Sequence, residues 1–144
     1  MKVFLDASVL FSAAYSAGGY ARDLLVLAVQ NRVQAVVSSD VLTEVERNIT
    51  RKAPDKLESY RLLLKLINAE LVADPSLEAV REVESYVVQK DAPIVAAAQQ
   101  AQVDYLVTYD RKHLIDPVEV AQKSGLRIVT PETVVEEIIR SENE

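Results

Sequence analysis

Short apolar runs alternate with amphipathic helical patterns along this chain. The first run, Lys2 to Leu5, ends at an aspartate, and a pair of glycines then precedes a helical pattern whose apolar side includes Leu24 to Val29. A second run, Ala35 to Val37, leads into Ser38-Ser39-Asp40, where a hydroxyl followed by an acid is typical of a helix N-terminus. The first third of the chain therefore predicts a strand, helices, a second strand and a further helix.

The rest of the chain continues this alternation. The helix that begins at Asp40 is expected to run to about Lys52, since Pro54 ends it and starts the second helix of a hairpin. The later predicted elements are a weak strand at 70–73, helices at 77–88 and from Asp91, a strand at 105–107, a helix at 118–124, a strand at 127–129 and a helix at 131–140. Parallel strands need crossover connections, which helices supply. We therefore predict an α/β sandwich with a mostly parallel sheet.

Length and composition suit one folded domain. A chain of 144 residues is long enough for one substantial core but too short for two, so we expect a single domain over residues 1–144. Hydrophobic residues make up 49% of the chain and charged residues 26%, which argues against extensive disorder. We find no linker, low-complexity tract or internal repeat in the sequence.

The residue types exclude several kinds of site. The chain has no cysteine, which excludes disulfides, thiolate zinc sites and thiol nucleophiles. His113 is the only histidine, so any metal must be held mainly by oxygen. The N-terminal segment carries an aspartate within its apolar stretch and is interpreted as a strand rather than a signal, and no run reaches the roughly 18 apolar residues of a membrane span. We expect a cytoplasmic protein with no membrane partner.

The net charge of −6 bears on nucleic acid binding, because phosphate contacts normally use clustered lysines and arginines. A site that gathers carboxylates around a cation adds to such a negative balance, while the cation itself attracts phosphate. The charge is therefore compatible with a nucleic acid substrate.

Four acids are expected at one edge of the predicted sheet. Asp6 follows the first strand, Asp110 follows the fourth, Glu44 lies early in the helix after the second strand, and Asp91 begins the helix that leads into the fourth. Ligands bind beyond the carboxyl ends of strands in open parallel sheets, where the crossovers change direction. Four adjacent carboxylates need a compensating cation, and oxygen ligands favour Mg²⁺ or Mn²⁺.

Four segments together resemble the PIN-domain family, metal-dependent ribonucleases that include VapC-type toxins and stand-alone members. The segments are Val3 to Leu10, Ser38 to Val45, Asp91 to Ala98 and Asp104 to Asp110. Each is a weak signal alone, but four in this order and spacing are a strong one. The resemblance implies a three-layer α/β/α fold with a five-stranded parallel sheet in the spatial order 3-2-1-4-5.

The resemblance also implies roles for individual residues. Carried over position by position, the catalytic acids are Asp6, Glu44, Asp91 and Asp110, and Ser8 and Thr108 orient the acids or water. Many relatives have asparagine where this chain has Ser8. Asp6 and Asp110 are expected to bind the metal directly. Glu44 and Asp91 are expected to bind a second metal or orient water, and Asp91 is counted with Asp6 and Asp110 among the metal ligands.

The implied activity is that of a Mg²⁺- or Mn²⁺-dependent endoribonuclease. Water attacks phosphorus in line, and family members leave a 5′-phosphate and a 3′-hydroxyl. The implied partners are an RNA substrate, an antitoxin protein if the chain is the toxin of a toxin–antitoxin pair, and a second copy in a homodimer. Apolar helix residues Leu62, Leu63 and Leu66 are candidates for such pairing.

Several residues have competing interpretations. Glu46 lies on the same helix as Glu44, and periodicity alone does not choose between them. Asp91 is also suited to capping a helix. We interpret His113 as a surface residue or at most a phosphate contact, and leave it out of the mechanism. Four basic residues are RNA contacts or simply solvated: Arg47, Arg51, Arg111 and Lys112.

Two other functions compete with the nuclease. An aspartate after the first strand is also where haloacid-dehalogenase-like phosphatases place their nucleophile, but those enzymes need a second acid where this chain has Ser8. The other alternative is a PIN-like binding module without catalysis, against which the complete set of four acids argues.

Overall fold

The computed structural model describes every residue from Met1 to Glu144. The strands are β1 (Lys2–Leu5), β2 (Gln34–Ser38), β3 (Glu70–Val72), β4 (Tyr105–Val107) and β5 (Ile128–Val129). The helices are α1 (Ala7–Tyr15), α2 (Tyr20–Val29), α3 (Ser39–Lys52), α4 (Leu57–Ile67), α5 (Leu77–Glu84), α6 (Ala92–Ala101), α7 (Val118–Ser124) and α8 (Pro131–Glu142). Short 3-10 turns occur at Pro54–Lys56 and Gln89–Asp91, and a π-helical turn at Arg111–Ile115.

The five strands form one sheet in the order β3-β2-β1-β4-β5, and every neighbouring pair is parallel. The chain builds the sheet outward from β1 through β2 to β3, then returns to place β4 on the other side of β1. Because crossovers between parallel strands are right-handed, this strand order implies that α1 to α4 lie over one face of the sheet and α5 and α6 over the other. The predicted fold and strand order are confirmed.

The central strand shows why the sheet is covered on both faces. Val3, Phe4 and Leu5 are consecutive, so their side chains point to alternate faces, yet none is more than 1% exposed. The alanines of α6, Ala96 to Ala98, are also buried, and their small size lets a helix approach the sheet closely. A cluster of 39 buried residues makes up the core.

One predicted helix is too long. The helix expected at 77–88 ends at Glu84, because the Ser85 hydroxyl donates to the carbonyl of Glu82 at 2.7 Å and the chain turns there. The following 3-10 turn places Asp91 directly before α6. None of the helices combines the length and the apolar character that crossing a bilayer requires.

Candidate active site

Asp6 joins the end of the central strand to the start of α1. Its N–H donates to the carbonyl of Val107 at 3.0 Å, so the pairing with β4 continues past the strand. Its Oδ1 accepts from the N–H of Ala7 at 2.8 Å, and its Oδ2 accepts from the hydroxyls of Ser8 at 3.0 Å and Thr108 at 2.7 Å. Asp6 is 8% exposed. It therefore caps α1 through one oxygen while two hydroxyls fix the other.

The hydroxyls of Ser8 and Thr108 also hold the segment that carries Asp110. Oγ1 of the fully buried Thr108 accepts from the N–H of Asp110 at 3.0 Å, and Oγ of Ser8 accepts from the N–H of Tyr109 at 3.1 Å. Each hydroxyl thus contacts both the Asp6 carboxylate and the backbone beyond β4. The two side chains fix the orientation of Asp6 relative to Asp110.

The carboxylate of Asp91 is the least satisfied polar group of this region. Its Oδ2 is buried and has no hydrogen-bond partner, and its side chain does not cap α6. Burial raises the pKa of Asp91 to about 6; Lys90 opposes this rise, and the charges of Asp110 and Asp6 add to it. A buried carboxylate oxygen without a partner is costly unless a proton or a cation compensates it.

Glu44, and not Glu46, faces the other acids. Burial raises the pKa of the Glu44 carboxyl, and the negative charge of Asp6 raises it further. Glu46 points elsewhere from α3, and its Oε1 accepts from Arg61 of α4 at 2.6 Å. The structure therefore distinguishes two glutamates that the helical pattern left equivalent.

Electrostatic repulsion acts between several of the four predicted acids. The charge of Asp6 raises the pKa of both Glu44 and Asp91, and the charge of Asp110 also raises that of Asp91. The acids come from four separate segments, but the carboxyl edge of the sheet near β1 and β4 brings them together.

His113, which we interpreted as a surface residue or at most a phosphate contact, lies beside Asp110. Its side chain is 30% exposed, and its Nδ1 lies 3.3 Å from Oδ2 of Asp110. Its backbone N–H donates to Oδ1 of the same carboxylate at 3.0 Å. The π-helical turn at Arg111–Ile115 produces this contact, and no sequence pattern predicts such a turn; the only signal was the histidine's spacing of three from Asp110.

A model of the PIN domain matches residues 2–112, well over half of the chain. The chain belongs to the PIN domain family. All four acids lie within the matched residues, and His113 follows immediately after them. PIN domains are nucleases, which assigns the chain to the hydrolases of nucleic acid phosphodiesters. Among curated proteins, none matches the sequence significantly.

Solved structures share the fold of this PIN domain. PAE2754 from Pyrobaculum aerophilum is 22% identical with a TM-score of 0.67, over 97% of this chain and 90% of that one. FitAcB from Neisseria gonorrhoeae is 15% identical with a TM-score of 0.61, over 90% and 97% of the two chains. VapBC2 from Rickettsia felis, bound to a DNA fragment from its promoter, is 19% identical with a TM-score of 0.59, over 89% and 97%. At these identities the likeness establishes the fold alone.

The side chains of this PIN domain fit a divalent cation. Asp91, Asp110 and His113 each offer one ligand atom, and these atoms lie within 4.8 Å of one another. The unpartnered Oδ2 of Asp91 supplies a free acceptor in the same region. Asp6, predicted as a ligand with Asp91 and Asp110, is not one of these three residues, and its oxygens accept hydrogen bonds from Ala7, Ser8 and Thr108.

Basic side chains border the acids on one side. A cavity of about 320 Å³ is lined by Glu44, Arg47, Asn48, Arg51, Lys90 and Asp91. Of the four basic residues considered as RNA contacts, Arg47 and Arg51 line this cavity, whereas Arg111 and Lys112 are exposed in the π-helical turn and do not. Lys90 was not among the predicted residues, although its position next to Asp91 was a signal for it.

Proposed function

We propose that this PIN domain is a metal-dependent endoribonuclease with Asp6, Glu44, Asp91 and Asp110 as its catalytic acids. The observation that carries the proposal is the buried, unpartnered Oδ2 of Asp91, whose carboxylate is repelled by those of Asp110 and Asp6. Such an arrangement has a physical explanation if a hard divalent cation compensates the charge.

The donor set favours Mg²⁺ or Mn²⁺ as the cation. Asp91 and Asp110 would hold it, with Asp6 at its side, because these residues offer carboxylate oxygens and the chain has no thiolate. When bound, the cation acts as a Lewis acid that activates water for attack at phosphorus and offsets charge on the phosphodiester. The new bond joins the water oxygen to phosphorus, the P–O3′ bond breaks, and a proton passes to the leaving O3′.

The chain's own residues then have distinct tasks. The hydroxyls of Ser8 and Thr108 keep Oδ2 of Asp6 in one orientation, because each donates to it. The raised pKa of Glu44 suits it to accept a proton from the attacking water, since its conjugate acid is more stable than that of an ordinary glutamate. Neither task requires a movement of the backbone.

An RNA strand would approach over the cavity beside Glu44 and Asp91. Arg47, Arg51 and Lys90 line this cavity, and cations at such positions bind phosphate oxygens of a nucleic acid backbone. Arg111 and Lys112 lie on the other side of Asp110 in the chain and extend the basic character beyond β4. The cationic side chains are thus concentrated near the acids although the whole chain carries a charge of −6.

We also propose an antitoxin partner and a cytoplasmic, homodimeric toxin. The FitAcB and VapBC2 structures support this through their shared fold. Leu62 and Leu66 of α4 are 59% and 53% exposed and supply an apolar face for self-association, while Leu63 packs against the core. Co-purification of the chain with the product of an adjacent small reading frame would test the antitoxin, and sedimentation analysis would test the dimer.

The phosphatase alternative is disfavoured. A nucleophilic carboxylate needs a free oxygen that faces substrate, but Asp6 is 8% exposed and both its oxygens accept hydrogen bonds. Position 8 is a serine whose hydroxyl donates to Asp6, and no acid takes its place. Hydrolysis of a phosphomonoester at rates above those for RNA would reverse this ranking.

Cleavage of defined RNA oligonucleotides tests the nuclease. We expect single-stranded or stem-loop RNA to be cut with Mg²⁺ or Mn²⁺ but not with EDTA, and the products to carry 5′-phosphates. Asp6→Asn should abolish cleavage, whereas Asp55→Asn, an equal charge change at an exposed turn residue, should not. A folded Asp6→Asn variant that cuts as fast as the parent would disprove the assigned site, and a parent without any cleavage would favour the binding module.

A further inference from the structure

We propose that His113 is a direct nitrogen ligand of the divalent cation, so that Asp91, Asp110 and His113 form a two-carboxylate, one-imidazole site that prefers Mn²⁺ to Mg²⁺. The inference rests on the proposed metal-dependent function and specifies its cation. It adds a ligand that comes from neither a strand end nor one of the four acids.

The separation of the three side chains suits a common ion. One ligand atom of each lies within 4.8 Å of the others, and Nδ1 of His113 is 3.3 Å from Oδ2 of Asp110. In an octahedral site with bonds of about 2.1 Å, adjacent ligand atoms are roughly 3.0 Å apart and opposite ones roughly 4.2 Å apart. The 3.3 Å separation falls within this range, and the 4.8 Å limit lies just above it.

The backbone fixes the imidazole in this position. The N–H of His113 donates to Oδ1 of Asp110, so the carboxylate holds the turn while its other oxygen faces the ring. The next residue, Leu114, is 1% exposed and anchors the π-helical turn in the core. His113 is therefore held over the acids on an anchored turn, which a solvated surface histidine does not need.

A hydrogen bond to Asp110 alone is a weaker explanation for His113. It leaves the buried Oδ2 of Asp91 without a partner, although Asp91 belongs to the same group of three. A cation bound by all three residues satisfies that oxygen and also uses the imidazole. Imidazole nitrogen binds Mn²⁺ and later transition metals better than Mg²⁺, which prefers oxygen, and this difference predicts the selectivity.

Pulsed electron paramagnetic resonance of bound Mn²⁺ tests the ligand directly. The full, tag-free chain contains one histidine, so histidine labelled with ¹⁵N marks His113 alone. Electron spin echo modulation should reveal ¹⁴N coupling of the strength of a bonded imidazole, which ¹⁵N-histidine replaces with ¹⁵N coupling. His113→Gln should abolish the coupling, lower Mn²⁺ affinity about tenfold in calorimetry and change Mg²⁺ affinity less than twofold. Lys123→Gln, at an exposed lysine of α7 paired with Glu119, should leave both affinities unchanged.

The outcomes separate this inference from the proposed function. Mn²⁺ that binds without bonded nitrogen coupling overturns the His113 ligand and leaves a metal-dependent nuclease intact. Absence of Mn²⁺ binding overturns both. Labelling the parent protein with ¹⁵N-histidine tests whether His113 binds the cation even if His113→Gln fails to fold, because the labelled chain is chemically the wild type.

Discussion

The hydroxyl of Thr108 donates to Oδ2 of Asp6 at 2.7 Å and connects the ends of two neighbouring parallel strands. The hydroxyl oxygen of Thr108 also accepts from the N–H of Asp110 at 3.0 Å. A single buried side chain thus relates two acids that lie more than a hundred residues apart in the sequence. The relationship makes Thr108 a positioning residue that acts through Asp6 and Asp110.

Thr108→Val should lower both stability and cleavage. Valine keeps the shape but leaves the Asp110 N–H and Asp6 Oδ2 without this partner at a fully buried position. We therefore expect the free energy of unfolding, measured in urea, to fall by about 1 to 3 kcal/mol. We expect cleavage to fall about tenfold or more, because Oδ2 of Asp6 loses one of its two hydroxyl donors. Thr108→Ser keeps the hydroxyl and should restore most of both. Equal activity of the Val and Ser variants would refute the positioning role.

Glu44→Gln and Glu46→Gln form a matched pair on one helix. Only Glu44 faces Asp6, whereas Glu46 is bonded to Arg61 at the surface. We expect Glu44→Gln to reduce the cleavage rate by about 100-fold or more, in the range usual for a lost general base, and Glu46→Gln to leave the rate within about twofold. Single-turnover cleavage at saturating enzyme measures the difference. A larger loss of cleavage rate for Glu46→Gln than for Glu44→Gln would indicate that the active site lies on the other face of α3.

The parts of the structure that were predictable from the sequence have strong local causes. The run from Lys2 to Leu5 is apolar at every position after the lysine, as a strand covered on both faces requires, and it stops at Asp6. The sheet order came from the family resemblance, because periodicity does not encode which strands are neighbours, whereas the expectation that the acids share one edge came from their positions relative to the predicted strands. The apolar pattern thus predicted the strands and helices, whereas the resemblance to the PIN-domain family predicted the order of the strands.

The parts that were missed depend on contacts between distant or irregular segments. His113 reaches Asp110 only because five residues form a π-helical turn, whose hydrogen bonding has no simple apolar period. Helical periodicity left Glu44 and Glu46 equivalent, and only the family resemblance selected Glu44, because the position of Arg61 beside Glu46 is a contact between two helices. The early end of α5 depends on one hydroxyl, that of Ser85, which competes for a helix carbonyl.

Arg47 and Arg51 should contribute to RNA affinity through phosphate contacts. In an Asp6→Asn background that binds without cutting, Arg47→Gln with Arg51→Gln should weaken binding and reduce the slope of log K against log salt concentration by about 1.4, since each phosphate contact on a single strand contributes about 0.7. Arg61→Gln removes one positive charge from a residue paired with Glu46 and should leave the slope unchanged. Fluorescence anisotropy over a range of salt concentrations measures it. An equal slope for parent and double variant would show that these arginines are merely solvated.

Asp91→Asn should stabilise the metal-free protein at neutral pH. The pKa of Asp91 is raised from 3.8 to about 6 in the fold, so the folded chain holds this proton more tightly than the unfolded chain does. As pH rises from about 4 to 6 the unfolded state loses the proton first, and the parent loses stability relative to the asparagine variant. We expect the free energy of unfolding of Asp91→Asn to exceed that of the parent by about 1 to 2 kcal/mol above pH 7, after allowing for solvent screening of a half-buried group. Below pH 4 we expect no difference.

Urea unfolding in EDTA across this pH range measures the difference, with Asp55→Asn as the control for an exposed aspartate. Saturating Mn²⁺ should make the parent more stable than Asp91→Asn. At a hundred times the dissociation constant, Mn²⁺ raises the parent's free energy of unfolding by about 2.7 kcal/mol, whereas a variant that no longer binds gains nothing. The two halves of the prediction have one cause, since the same buried oxygen of Asp91 destabilises the empty site and binds the cation. Parallel pH profiles for parent and Asp91→Asn in EDTA would contradict that cause, whatever the variant does to cleavage.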